Sequence, residues 1–259
     1  MSLSVIFAGI VTGLLLGIFG SGGSIITTPA LLYLLEVEPK SAIAMSLGIV
    51  AVTATLTAWQ HWRRGNVNLR ITVVFGLFGV VGTYAGALLG VITPIVIQLG
   101  IFALVMYAAA WRMLRPAPVH KSVGAACADC PDGNCEELDY RHIALHGIGV
   151  GVLTGVVGVG GGFLIVPALV LLSGLSMKQA VGTSLSIVAI KSFAGFAGYA
   201  GAVSIDYGLM AGFTAVAIAG SVLGSRLCHR LPAAKLQKGF GMFLLLVATY
   251  ILIRSVLFG

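Results

Sequence analysis

Long runs without a charged side chain are the feature of this 259-residue sequence that most limits its fold. Only 9% of the residues are charged, against roughly 25% in an ordinary globular domain. A helix needs about 20 apolar residues to cross the hydrocarbon core of a bilayer. The sequence therefore predicts an all-α protein that crosses a membrane several times. The runs are Ser41–Trp59, Ile71–Ile92, Ile95–Trp111, Gln179–Val203 with Lys191 inside it, Tyr207–Ser225 and Gly239–Ile253.

The net charge of +7 comes mostly from Lys and Arg in short loops beside these runs. Such residues indicate which loops face the cytoplasm, so we expect no nucleic-acid partner. The first apolar segment, Val5–Phe19, has no basic residue before it and no clear cleavage motif after it, and we interpret it as part of the mature chain. The Asp and Glu residues lie in loops or at helix ends, which disfavours a proton relay through a buried carboxylate and leaves His61 or a protonated substrate as routes for a proton.

The sequence repeats itself after 138 positions. Residues 13–32, GLLLGIFGSGGSIITTPALL, align without a gap on residues 151–170, GVLTGVVGVGGGFLIVPALV. The same shift pairs SLGIVA at 46–51 with SLSIVA at 184–189. Two copies of one ancestral unit explain this register. The expected organisation is a first repeat at 1–113, a linker at 114–140 and a second repeat at 141–259.

The basic residues indicate that the two repeats are inverted. In the first half the loop Arg63–Arg70 is basic and the loop Gly90–Pro94 carries no Lys or Arg, whereas in the second half Gly201–Asp206 carries none and Arg226–Lys238 is basic. Equivalent loops therefore lie on opposite sides of the membrane, which predicts a cytoplasmic linker and periplasmic termini. An inverted pair needs an odd number of crossings per repeat. We expect each glycine motif to form a broken, re-entrant helix hairpin, followed by three transmembrane helices.

The consecutive glycines, GSGGS at 20–24 and GVGGG at 158–162, predict breaks in these hairpins. Non-helical backbone at membrane depth must face protein or a water-filled cavity. The half-helix after each break has free N–H groups and a positive dipole end, which suits an anion. Close helix packing is the alternative, and we favour it for the four glycine pairs spaced by four residues, such as Gly13 and Gly17. The predicted substrate-binding residues of the breaks are Gly20, Ser21, Gly22, Gly23, Ser24, Gly158, Gly160, Gly161 and Gly162.

Four further side chains are candidates for the same site. Lys191 is the only formal charge in the interior of an apolar run, and burying it costs at least about 2.5 to 3.5 kcal/mol, which a substrate anion could offset. Alternatively it snorkels or pairs with a carbonyl. Ser46, Thr183 and Ser184 follow the hairpins and could donate hydrogen bonds to an oxyanion, or bond back to their own helices.

The linker reads CADCPDGNC and carries Cys127, Cys130 and Cys135. In a reducing cytoplasm these thiols should stay free. They could hold zinc or an iron–sulfur cluster with a fourth ligand from elsewhere, or act as a redox or sulfur-handling dithiol. Three cysteines do not complete a four-ligand set, so a linker with incidental thiols is the alternative.

The two GxxGxGG…P hairpins and the stretch GTSLSIV at 182–188 make the sequence similar to the TauE/SafE family of membrane permeases. The resemblance covers almost the whole chain. It implies transport of small sulfur-containing anions, such as sulfite, sulfoacetate and other organosulfonates, across the bacterial inner membrane, usually as export. It also marks Gly20–Gly23 and Gly158–Gly162 as signature positions. The first copy has AMSL at 44–47 where the second has GTSL, which weakens the case for a hydroxyl contribution there.

These observations predict a transporter and no enzyme. The expected mechanism is alternating access around an anion held between the two hairpins near the middle of the membrane. The alternatives are an anion channel, or a membrane-bound sulfur-transfer or redox protein that uses the cysteines of the linker.

Overall fold

The computed structural model describes residues 3–20, 23–35, 37–92, 95–114, 140–157, 162–171, 173–199 and 204–258. Within these ranges the chain forms ten helices and no strand, so the all-α prediction is confirmed. The helices are α1 (Leu3–Phe19), α2 (Gly23–Leu34), α3 (Pro39–Arg63), α4 (Leu69–Ile92), α5 (Ile95–Leu114), α6 (Tyr140–Val157), α7 (Gly162–Leu171), α8 (Met177–Tyr199), α9 (Tyr207–Arg230) and α10 (Ala233–Phe258).

Four helical segments of the described part are long and apolar enough to span a membrane. They are Lys40–Arg63, Leu69–Gly86, Met177–Ala197 and Tyr207–Arg230. At 1.5 Å per residue, the 24 residues of α9 cover about 36 Å, which exceeds a hydrocarbon core of about 30 Å. The chain is a multi-pass membrane protein.

The helices form two compact units, and each unit draws on both halves of the sequence. The first unit comprises residues 1–72 and 181–231, and the second comprises residues 73–180 and 232–259. The boundaries of these units therefore differ from those of the sequence repeats. The division into repeats at 1–113 and 141–259 remains a prediction.

In the first unit, α1 and α2 form a helical hairpin beside α3 and α9. Gly23 at the start of α2 lies against the side chain of Leu16, and Leu31 near the end of α2 shares a buried cluster with Ala8 and Phe213. Because α2 returns toward the start of α1, the chain enters and leaves the hairpin at one end of the unit.

The helices α3 and α9 run side by side in the same direction. Glu38 and Asp206, which precede them, line one cavity, and Arg64 and Arg226, at their other ends, line another. Local signals fix the starts of both helices. Pro39 occupies the first turn of α3, where its missing N–H costs nothing, and the side chain of Asp206 accepts a hydrogen bond of 3.0 Å from the Leu209 N–H, as an N-cap does.

In the second unit, α5 packs against α10 in antiparallel fashion. The hydroxyl groups of Tyr107 and Thr249 are 2.8 Å apart, and Gly241 lies against Leu114 at the other end of the contact. The short helix α7 is buried from Gly162 to Leu169. Its ten residues cover about 15 Å, half of a bilayer core, as predicted for the segment after the glycines.

Both units contain the same glycine-mediated helix crossing. In the first unit, Gly13 on α1 touches the backbone of Ala217 and Ser221 on α9. In the second unit, Gly151 on α6 touches the backbone of Gly79 and Thr83 on α4. Each of these positions in the second unit lies 138 residues before or after its counterpart in the first unit. The reciprocal contacts follow the same rule: Gly220 meets Ile10 and Gly224 meets Leu14, while Gly82 meets Ile148 and Gly86 meets Val152. Close packing is therefore the role of these glycines, as we favoured from their spacing.

Two hydrogen bonds repeat in the same register. At the end of the short helices, the Val37 N–H donates to the Leu31 carbonyl at 3.2 Å, and the Leu175 N–H donates to the Leu169 carbonyl at 3.1 Å. On the helices that follow, the Ser46 hydroxyl donates to the Ile43 carbonyl at 2.8 Å, and the Ser184 hydroxyl to the Val181 carbonyl at 2.9 Å. The internal repeat of the sequence is thus matched by repeated local structure.

Candidate anion site at the first helix break

The first glycine motif interrupts the helix where the sequence predicts a break. Helix α1 ends at Phe19, and Gly20 follows with a φ of +73°. Its N–H donates to the Leu16 carbonyl at 2.8 Å. A residue with a Cβ pays about 1–2 kcal/mol in this left-handed conformation, which glycine adopts freely. Helix α2 then begins at Gly23. Around the second motif the structure describes α6 up to Val157 and α7 from Gly162.

The break in the first unit lies within the length of the neighbouring spanning helix. Gly17, three residues before Gly20, packs against Ser221 and Ser225 of α9. These residues are past the midpoint of α9 but short of its end at Arg230. Because Gly13 meets Ala217 and Gly17 meets Ser225, α1 advances along α9 toward Arg230, and the break lies toward that end of α9.

A side chain of α8 closes the break from the side. The buried Ser184 hydroxyl shares its one proton between the Gly20 carbonyl, at 3.1 Å, and the Val181 carbonyl, at 2.9 Å. A Cβ on Gly20 would lie 2.7 Å from Ser184 Oγ and 2.9 Å from the Val181 carbonyl oxygen. Two residues predicted independently for one site, 164 positions apart, therefore meet.

The start of α2 supplies the backbone N–H groups of the site. The first four N–H groups of a helix have no acceptor within it, and here they belong to the turn that begins at Gly23, a buried residue. Thr27 donates its hydroxyl to the Gly23 carbonyl at 2.6 Å, so that oxygen is also occupied. This end of α2 therefore offers donors and a positive dipole end.

The sequence profile of the family described as "Sulfite exporter TauE/SafE" matches residues 5–251. The chain belongs to this family. No solved structure matches the chain.

Several TauE/SafE-like relatives are known by the general name "Probable membrane transporter protein". One from Xylella fastidiosa (strain Temecula1) is 33% identical over 257 residues, covering 96% of this chain and 94% of that protein. One from Haemophilus influenzae is 29% identical and covers 94% and 95% of the two chains. The protein YdhB of Bacillus subtilis is 26% identical and covers 87% and 89%. The chain is therefore a membrane transporter of the TauE/SafE family.

Two other predicted residues, Thr183 on α8 and Ser46 on α3, have different partners. The buried Thr183 hydroxyl oxygen accepts a hydrogen bond of 3.2 Å from the Asn68 N–H. Ser46 bonds back to its own helix, as one of the two interpretations proposed, and it also accepts a hydrogen bond of 3.0 Å from Thr28 on α2. Thr183 thus ties the loop before α4 to α8, and Ser46 ties α2 to α3.

Lys191 lies near the middle of α8, fourteen residues from its start at Met177. It is partly buried. Lys191 follows Ser184 by seven residues, two turns of a helix, so the two side chains leave α8 on the same face. The predicted cation and the predicted hydroxyl donor therefore lie on one stripe, with Ser184 at the break.

Several predicted residues lie outside the described part of the chain, and two others, Ser24 and Gly162, lie at its edges. Of Ser24 only the helical backbone is described, and Gly162 is the buried first residue of α7. The residues outside are Ser21, Gly22, Gly158, Gly160, Gly161 and the linker cysteines Cys127, Cys130 and Cys135.

The sequence alone did not reveal the partners Thr28 and Asn68. Thr28 is one hydroxyl residue within an apolar stretch. Asn68 has the sequence pattern of a helix cap, and its side chain accepts a hydrogen bond of 3.2 Å from the Ile71 N–H. Their contacts with Ser46 and Thr183 depend on how distant helices pack. No local spacing contains that information.

Proposed function

We propose that this TauE/SafE chain is a secondary transporter that exports small sulfur oxyanions, such as sulfite or organosulfonates, and that it holds the anion at the first helix break. The family description supports the sulfur oxyanion as substrate and export as direction. In this proposal the chain resides in the bacterial inner membrane and performs no chemistry on its substrate. The anion reaches the site alternately from the two sides of the membrane.

The observation that carries the proposal is the hydrogen bond from Ser184 to the Gly20 carbonyl. A carbonyl oxygen at the break would repel an anion. Because Ser184 donates to it, that oxygen is occupied and directed toward α8. The groups left for a ligand are then the N–H donors of the first turn of α2, which favour negative charge.

In this proposal Lys191 adds positive charge from two turns further along α8 than Ser184, about 10 Å away. It stands at mid-helix in a candidate membrane span, where a cation costs at least about 2.5 to 3.5 kcal/mol. A bound anion would offset part of this cost. Lys191 and the α2 amides together would then select for a small anion over a neutral solute.

The direction of the helices supports the predicted topology. The basic segments after α3 and at the end of α9 meet at one end of the first unit. Basic loops collect on the cytoplasmic side, so we assign this end to the cytoplasm. The opposite end, with Glu38 and Asp206, is then periplasmic.

Flux into proteoliposomes tests the proposal directly. Purified protein in liposomes should take up radiolabelled sulfite with saturating kinetics, and excess organosulfonate should compete. A transporter that occludes its substrate saturates, whereas flux that rises linearly with sulfite would indicate the channel alternative. Sulfite flux equal to that of protein-free liposomes would rule out the proposed substrate.

Replacing Lys191 by methionine should weaken sulfite binding about tenfold or more, which corresponds to about 1.4 kcal/mol. Methionine keeps the length and apolar stem but removes the charge. The measurement is the sulfite concentration that half-saturates thermal stabilisation of the purified protein. Lys178→Met, at the start of the same helix, is the matched control and should bind sulfite normally. Unchanged affinity in Lys191→Met would remove Lys191 from the site.

A further inference from the structure

A cavity of about 380 Å³ opens at the basic end of the first unit. It is lined by Arg64 from the end of α3 and by Arg226, His229 and Arg230 from the last turns of α9. One water molecule occupies about 30 Å³ in the liquid, so the cavity has room for a small anion and its hydration waters. Arg64 and Arg226 also line a neighbouring cavity of about 220 Å³, together with Arg63 and Gln60. The arginines of two helices therefore converge on one surface.

No carboxylate among the described residues balances this charge. Arginine stays protonated throughout the physiological pH range. The two described carboxylates, Glu38 and Asp206, line the cavity at the opposite end of α3 and α9. Arg226 and Arg230 are four residues apart on one helix face, where like charges repel. The described part of the unit thus gathers three guanidinium groups without an internal counter-ion.

Two histidines, His229 and the buried His61, stand behind these arginines. The ring of His229, which lines the cavity, lies 4.8 Å from the ring of His61. His61 is fully buried, its Nε2 is 3.4 Å from Ser225 Oγ, and its Nδ1 has no hydrogen-bond partner among the described residues. A buried polar atom of this kind normally has a partner in the protein or in ordered water. The cavity therefore has a polar interior wall in addition to its charged rim.

We propose that Arg64, Arg226, Arg230 and His229 form a binding site for an oxyanion of the size and charge of phosphate or sulfate. Guanidinium groups match such anions because each can donate two parallel hydrogen bonds to two oxygens. The oxyanion is either a free ion or the phosphate of an anionic lipid headgroup, since the cavity lies at the end of two membrane spans. This inference goes beyond the proposed function, because it requires no binding at the first break.

Binding to the purified full-length protein tests the site. Inorganic phosphate and sulfate are titrated separately into the detergent-solubilised, delipidated protein by calorimetry. The variants are Arg226→Gln and Arg230→Gln, whose side chains are exposed, so we expect them to fold. Arg70→Gln is the matched control, because Arg70 is an exposed arginine of the same unit that lines neither cavity. The expected result is at least tenfold weaker binding in the two variants and unchanged binding in the control.

A lipid measurement separates the two sources of the oxyanion. Protein reconstituted in nanodiscs of phosphatidylcholine with phosphatidylglycerol is extracted, and the retained phosphatidylglycerol is counted by native mass spectrometry. If the headgroup is the ligand, the unchanged protein and Arg70→Gln retain this lipid, and both cavity variants lose it. If a free ion is the ligand, retention is equal and only the calorimetric titration differs. If the unchanged protein and all three variants bind the two ions equally and retain the lipid equally, the proposal is wrong.

Discussion

Alanine at Gly20 is expected to abolish transport, while alanine at Gly65 is expected to leave it near the level of the unchanged protein. Both glycines have a positive φ, +73° for Gly20 and +70° for Gly65. Both substitutions therefore carry the same backbone strain, about 1–2 kcal/mol. They differ in surroundings: the Cβ at Gly20 would lie 2.9 Å from the Val181 carbonyl oxygen, whereas nothing lies within 4 Å at Gly65.

The two variants therefore differ mainly in the close contact between Gly20 and α8. To accept the methyl group at Gly20, α8 must move away, and the hydrogen bond from Ser184 to the Gly20 carbonyl is lost. Sulfite flux in proteoliposomes, normalised to inserted protein, is the measurement. Equal flux in the two variants would show that the contact with α8 has no part in transport, even if both proteins are somewhat less stable.

Valine at Gly151 is expected to lower the free energy of unfolding by about 3 kcal/mol, at the upper end of overpacking costs. A Cβ at this position would meet the backbone of α4, including Gly82 Cα and Thr83 N at 3.0 Å each. Backbone atoms cannot rotate away as a side chain does, so the two helices must separate. Thermal unfolding of the detergent-solubilised protein measures the loss.

Two further substitutions make this prediction specific. Gly149→Val lies two residues away on the same helix, where nothing lies within 4 Å, and it should be nearly neutral, since valine is no worse than glycine in a helix. Gly13→Val occupies the equivalent crossing of the first unit and should destabilise about as much as Gly151→Val. A Gly149→Val loss as large as that of Gly151→Val would contradict the packing role.

The four candidate spans, the first break and the glycine crossings were predictable from the sequence because each is a local pattern with one physical cause. Uncharged runs of membrane length require helices, and consecutive glycines interrupt them. The sequence predicts that Gly20 and Ser184 belong to one site, but it does not predict that they contact each other. The geometry of this contact, a hydroxyl that binds the Gly20 carbonyl, depends on the packing of α8 against the break.

The distribution of helices between the two units was not predictable. The repeat suggested two sequential halves, yet α1 packs on α9 and α6 on α4, so each crossing joins helices from different halves. The arginine cavity was not predictable for the same reason. In the sequence Arg64 and Arg226 indicate only orientation, and their convergence follows from the parallel course of α3 and α9.

The parallel course of α3 and α9 has an energetic consequence for the proposed export of an anion. Between the arginine end and the carboxylate end of α9 lie about 36 Å, more than the thickness of the hydrocarbon layer. In the assigned orientation, a negative ion that passes from the first end to the second moves out of a cell whose interior is electrically negative. Each charge then releases about 2.3 kcal/mol per 100 mV of membrane voltage. If the chain exports an anion as proposed, the membrane voltage favours that export.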